Sequence, residues 1–237
     1  MPEFLVELLS EDMLKVLPTI PRELYETLYS TVLSTLFAYI IGLPLGIILV
    51  VGEKDGVLGL PQWLMEIHNF IVNILRSVPF LILMIIVQPL SMVIFGTKIG
   101  TVASLPPLII AAFPFVARMV ESSIREVDKG VIEAAQAMGC SPWQIIVKVM
   151  LPESKPALIS GATIALTTIL SYGAMAGAIG GGGLGKIAIN YGLYRYCFDV
   201  MLFAVILLVI LVQIFQSIGT WMAVRCDKRI TKTKKGR

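Results

Sequence analysis

The sequence predicts an all-α fold: a polytopic membrane helical bundle of five transmembrane helices. Two observations predict it. Of the 237 residues, 57% are hydrophobic and 15% charged, and the mean hydropathy is +0.86. Ordinary soluble domains carry far more charge. The apolar residues are also gathered into uncharged stretches at 27–51, 77–95, 99–117, 156–185 and 200–224, each at least 19 residues long. About 20 residues of helix cross a bilayer core. Buried helices of soluble proteins seldom run so long without a charge. Open sheets are excluded as spans because their edges cannot sit in lipid.

Taken in order, residues 1–23 form an external flank. It is acidic, broken by Pro2 and Pro18, and lacks the order of a signal peptide, so the first stretch is expected to be its own insertion signal. A membrane domain is expected over 24–218. Glu53-Lys-Asp-Gly56 to Pro61 reads as a cytoplasmic turn. Residues 62–75 are expected at the membrane interface, with Arg76 snorkelling where the second span enters. Residues 93–100 make a short outer hairpin. Pro44, Pro79, Pro89, Pro106, Pro107 and Pro114 fall within or beside the spans. Such breakers suit a packed bundle around a cavity more than a simple anchor. Gly42-x-x-x-Gly46 and Gly173-x-x-x-Gly177 allow close helix approach. The basic segment 219–237 reads as a cytoplasmic tail anchored on the inner leaflet.

The charged segment between the third and fourth spans is the most distinctive. Val131–Met138 consists of good helix formers, and Gly139 suits a left-handed stop. Ser141 then reads as an N-cap, Pro142 as the first helical residue and Gln144 as the partner in a capping box. The second short helix is expected to end before Pro152. Glu133 is expected near the start of the first helix, where the dipole favours a carboxylate by about 0.3–1 kcal/mol. Ala134 and Ala135 are small, as close approach of a partner surface requires. A rigid helix–turn–helix of this kind suits docking of a soluble partner; an amphipathic loop helix lying on the membrane is the plainer alternative.

Several chemistries are excluded. None of the five apolar stretches contains Asp, Glu, Lys, Arg or His, whereas ion-driven transporters carry such groups deep in their spans. Gly180–Lys186 fits the pattern G-x-x-x-x-G-K, but Ile187 stands where Ser or Thr must hold magnesium. It reads as a flexible outer loop. The sole histidine, His68, has no partner at a ligand spacing, so no metal site is expected. Of Cys140, Cys197 and Cys226, only Cys197 is expected outside, so no internal disulfide is expected.

Glu133-Ala-Ala, Gly139 and Leu151-Pro152, at their spacing, resemble the cytoplasmic coupling motif of ABC-importer permeases, with Val149 replacing an isoleucine. Arg76-Ser-Val-Pro-Phe80, Ala112-Phe-Pro-Phe-Val-Ala-Arg-Met-Val-Glu121 and Tyr172–Gly185 resemble the permease subunits of methionine-uptake ABC importers. The resemblance covers most of the chain after about residue 24. It implies a homodimer with two cytoplasmic ATPase subunits and an external substrate-binding protein. It implies a non-catalytic subunit without a cofactor of its own, ATP and Mg being bound by the partner ATPase. With the coupling segment cytoplasmic, 14 of the 19 Lys and Arg residues fall inside, which places the N-terminus outside and the C-terminus inside a bacterial plasma membrane. Ser160, Thr163, Thr167 and Ser171 share one helix face and suit either a translocation path or interhelical contact. Tyr172 and Met175 are the expected path or gate residues beside Thr167 and Ser171. A non-transporting scaffold, or a permease for another small solute, is the competing reading.

Overall fold

A computed structural model describes residues 11–227. Its elements are helical throughout, with no strand among the described residues. They are α1 (Glu11–Val16), α2 (Ile20–Val51), α3 (Gln62–Ser77), α4 (Phe80–Phe95), α5 (Thr101–Arg125), α6 (Lys129–Ala137), α7 (Pro142–Ile145), α8 (Leu151–Glu153), α9 (Lys155–Ala176), α10 (Leu184–Ile187) and α11 (Phe198–Cys226).

Four helical stretches among these residues are long and apolar enough to cross a membrane: Glu11–Val51, Thr101–Arg125, Lys155–Ile179 and Phe198–Cys226. The expected five spans are reached when the bent pair α3 and α4 counts as one. The break lies at Val78-Pro79. Val78 is extended at φ −74 and ψ 128, the conformation that a following proline imposes. α4 alone has 16 residues, about 24 Å at 1.5 Å per residue, which is short of a hydrocarbon core. The membrane helices also run beyond the expected domain edges. α2 begins at Ile20 rather than 24, and α11 continues past 218 to Cys226. Residues 11–19, expected as a plain flank, are helical as well. The rest of the flank and the basic residues from Lys228 onward lie outside the described residues.

The chain divides into two compact units, which the long helices enter in turn. Among the described residues, the first comprises 11–36, 79–111 and 166–214; the second comprises 37–78, 112–165 and 215–227. In the first unit, Met84, Leu108 and Ala176 form a buried cluster, covered by Phe80, Tyr172 and Ile179. The loop before α5 is tied in by Gly100 N–H to the Gly180 carbonyl at 2.8 Å. The Gln88 side-chain amide donates to the carbonyls of Lys98 and Ile179. Cys197 donates its thiol to Asp12 at 3.1 Å, and all three cysteines are free.

In the second unit, α2 lies against α5 through the small-residue pair. A Cβ added to Gly42 would fall 2.7 Å from Val116 Cγ1, and one added to Gly46 would fall 2.6 Å from Val120 Cβ. This is the close approach expected of that motif. The second pair behaves differently. Gly173 has open space around it, while Gly177 abuts Lys186 N at 2.5 Å from an added Cβ. α11 approaches α9 at Gly219, where an added Cβ would strike Thr163. Thr163 therefore serves helix contact. Both it and Ser171 donate their hydroxyls back to their own helix, to Ile159 and Thr167 respectively.

Candidate functional site

The segment from Glu126 to Ser154 builds as a helix–turn–helix in the second unit. Asp128 caps α6, accepting from the Gly130 N–H at 2.7 Å. α6 thus begins at Lys129, two residues earlier than the sequence pattern suggested. Glu133 then sits beyond the first turn, so the expected dipole stabilisation is lost: the helix end field fades within one turn. Gly139 has φ +77, as the turn requires. The capping box after it is complete. Gln144 N–H donates to Ser141 Oγ at 3.4 Å, and Ser141 N–H donates to Gln144 Oε1 at 2.9 Å.

Pro152 does not end the second helix. A π turn over Ile146–Met150 carries the helical path into α8, and the stop comes at Ser154. The wider turn relieves the clash of a proline ring with the carbonyl four residues before it. Ser154 closes the segment, donating its hydroxyl to the Met150 carbonyl at 2.8 Å.

The six motif residues do not share one environment. Glu133, Ala134, Gly139 and Pro152 are exposed and Leu151 is half-buried, but Ala135 is buried. Ala135 is small because the chain's own interior closes on it, and its carbonyl accepts from the Cys140 N–H at 3.1 Å. Beside α6 lies a cleft of about 560 Å³ whose walls include Glu53, Asp55, Arg125, Lys129, Glu133 and Gln136. Arg125 bonds Glu53 twice, at 2.6 and 3.1 Å, and Glu121 at 2.9 Å. These hydrogen bonds hold the Glu53 carboxyl below its ordinary range. Arg118 continues the network to Glu121, Asn69 and Asn73.

The residues expected along a path lie in α9. Thr167 is half-buried, and Ser171 and Met175 are exposed. Tyr172 stacks on Phe80, with ring centroids 3.8 Å apart and planes 13° from parallel. That contact joins two of the motifs quoted above within the first unit.

Sequence reasoning missed the polar cluster around the glycine loop. The loop, expected to be flexible, is packed into its unit: Gly181, Gly183, Leu184 and Gly185 are buried. Gly183 N–H donates to the Glu23 carboxylate at 2.8 Å, and Leu184 N–H donates to Thr27 Oγ1 at 2.8 Å. Lys186 Nζ lies 3.6 Å from Glu23. Glu26 pairs with Arg22 and accepts from Thr101. The loop that mimics a phosphate site thus holds a carboxylate of its own chain. The available signal was the acid pair Glu23 and Glu26 one turn apart, just ahead of the first apolar run. Cutting the uncharged run at Thr27 left both acids outside it, Glu23 in the flank and Glu26 at the edge of the membrane domain.

Residues 42–232 match the family model described as the binding-protein-dependent transport system inner membrane component. The chain is 48% identical over 206 residues to a probable D-methionine transport system permease protein of Vibrio cholerae, covering 86% of this chain and 91% of that one. It is 48% identical over 159 residues to the methionine import system permease protein of Bacillus subtilis, covering 67% and 72% respectively. A solved structure of the MetNI methionine ABC transporter in inward-facing conformations superposes with a TM-score of 0.87 at 43% identity, over 93% of this chain and all of that one. An amino acid ABC transporter at 19% identity shares the fold, with a TM-score of 0.74.

Proposed function

The chain belongs to the family of binding-protein-dependent transport system inner membrane components, and from that premise we propose that it is the permease subunit of an ATP-driven importer of methionine or a closely related amino acid. The observation that carries the reading is 48% identity over 91% of a probable D-methionine permease. The helix–turn–helix supports it physically: a capped, stiff element presents Glu133, Ala134 and Gly139 to solvent, as docking to a soluble partner needs.

In this reading two copies of the chain pair with two cytoplasmic ATPase subunits and receive substrate from an external binding protein. The chain is non-catalytic; ATP and Mg belong to the partner. It is a multi-pass protein of the plasma membrane with its N-terminus outside and its C-terminus in the cytoplasm. Its membrane domain covers 24–218, with the first long helix starting slightly earlier, at Ile20, and the last continuing to Cys226. Glu133, Ala134, Gly139, Leu151 and Pro152 form the coupling surface, supported from beneath by Ala135. Thr167, Ser171, Tyr172 and Met175 line or gate the path.

The test is uptake of labelled methionine into proteoliposomes holding this chain, its ATPase and its binding protein. Uptake is expected only with ATP and all three components. Methionine entry without the ATPase, or none with the full set, would overturn the reading.

A further inference from the structure

Only Glu126, Val127 and Asp128 separate α5 from α6, so the aim of α6 is inherited from the end of α5. The joint is stiff. Val127 is buried, its N–H donates to the Ile124 carbonyl at 3.1 Å, and Asp128 caps the next helix. The last residue of α5 is Arg125. Its guanidinium makes a two-pronged contact to Glu53, at 2.6 and 3.1 Å, and further bonds to Glu121 at 2.9 and 3.2 Å. Such planar pairing fixes orientation as well as distance.

Glu53 is itself held in place. It opens a tight turn in which the Gly56 N–H donates to the Glu53 carbonyl at 2.8 Å and the Leu58 N–H donates to the Val51 carbonyl at 2.8 Å. Glu121 is held by Arg118 at 2.6 Å, and Arg118 reaches Asn69 and Asn73 on α3. A continuous polar chain therefore runs from α3 through α5 to the turn after α2. Glu53, Arg125 and Glu133 border the same cleft.

With side chains 44% and 48% exposed, the Arg125–Glu53 pair adds little to global stability. Its geometry nonetheless defines the spacing between the 53–57 turn and α6. We propose that Arg125, locked by Glu53 and Glu121, is a positioning residue that holds α6 at a fixed distance from the turn after α2, so that displacement of α6 reaches the membrane helices instead of being lost in a loose joint. The inference rests on the transport reading given above.

The experiment measures ATP hydrolysed per methionine imported by the assembled transporter in proteoliposomes, at physiological salt. Arg125→Gln and Glu53→Gln are each expected to raise that ratio by about threefold, within the range by which single residues modulate coupling. The double variant should be no worse than the worse single, because both remove one contact. Arg125→Lys should fall between native and Arg125→Gln, since a point charge cannot reproduce the fork. An unchanged ratio in both single variants, or multiplied effects in the double, would overturn the proposal.

A second measurement does not depend on transport. Nitroxides at Asp55 and Gln136 span the cleft, and their distance distribution should broaden in Glu53→Gln. An unaltered distribution would sink the positioning role. If the native protein imports no methionine while the distribution still broadens, the transport reading fails and the strut stands.

Discussion

At Gly139 the backbone takes φ +77, and an added Cβ would meet nothing within 4 Å. At Gly185 an added Cβ would lie 2.5 Å from the Ala174 carbonyl oxygen and 2.8 Å from its carbon. One glycine is demanded by conformation alone, the other by packing alone. The difference separates two kinds of turn. The Gly139 turn is exposed and leaves its surroundings empty, as a site for a visiting partner should. The 180–185 loop is closed on its own chain, with its amides spent on Glu23 and Thr27.

The largest expected effect follows from the packed side. Gly185→Val forces a side chain against backbone, so it should destabilise by about 1–3 kcal/mol or more. This is read as a lower thermal midpoint and a lower yield in detergent. Gly139→Val costs about 1–2 kcal/mol, confined to an exposed turn. That variant should insert, with a smaller fall in thermal midpoint than Gly185→Val, yet lose methionine uptake because α7 is re-aimed. Equal loss of stability in the two variants would erase the distinction; full uptake by Gly139→Val would remove the turn from force transmission.

The same contrast explains what could be read from the sequence. The helix–turn–helix was legible because its signals are local: a cap, a glycine, and a proline followed two residues later by glutamine. The spans were legible from run length. Three things were not. Asp128 moved the start of α6, because a cap two residues earlier competed with the apolar pattern. The π turn overrode the stop expected at Pro152, because only the folded helix shows that the ring can be accommodated. The Glu23–Gly183 and Arg125–Glu53 contacts join residues 160 and 72 apart, and nothing near either partner announces the other.

Ala134 and Ala135 sharpen the comparison on a finer scale. Ala134 is exposed, whereas Ala135 is 3% exposed. Ala134→Trp should leave the thermal midpoint unchanged and abolish co-purification with the ATPase. Ala135→Trp should lower the midpoint by overpacking, about 1–3 kcal/mol. If Ala134→Trp retains the ATPase and transports normally, α6 is not the docking surface, and a helix lying on the membrane becomes the better account.

The smallest expected effect concerns acid. Glu53 accepts two hydrogen bonds from Arg125, which lower its carboxyl pKa below the ordinary 4.5. A lowered folded value means that the carboxylate contributes stability above the unfolded pKa, and that this contribution is lost as pH falls through the folded value. Arg125 stays charged throughout, so the titration belongs to Glu53. The native protein should therefore melt slightly above Glu53→Gln at pH 7, and the gap should close as the pH is taken below 4.5 toward the lowered value. Because the pair is half exposed, salt should shrink the gap at pH 7 as well. Thermal scans of both proteins across pH, at low and high salt, measure it. A gap that persists in strong acid would mean that Glu53 acts through its shape or its turn and not through its charge on Arg125, and the strut below α6 would lose its electrostatic half.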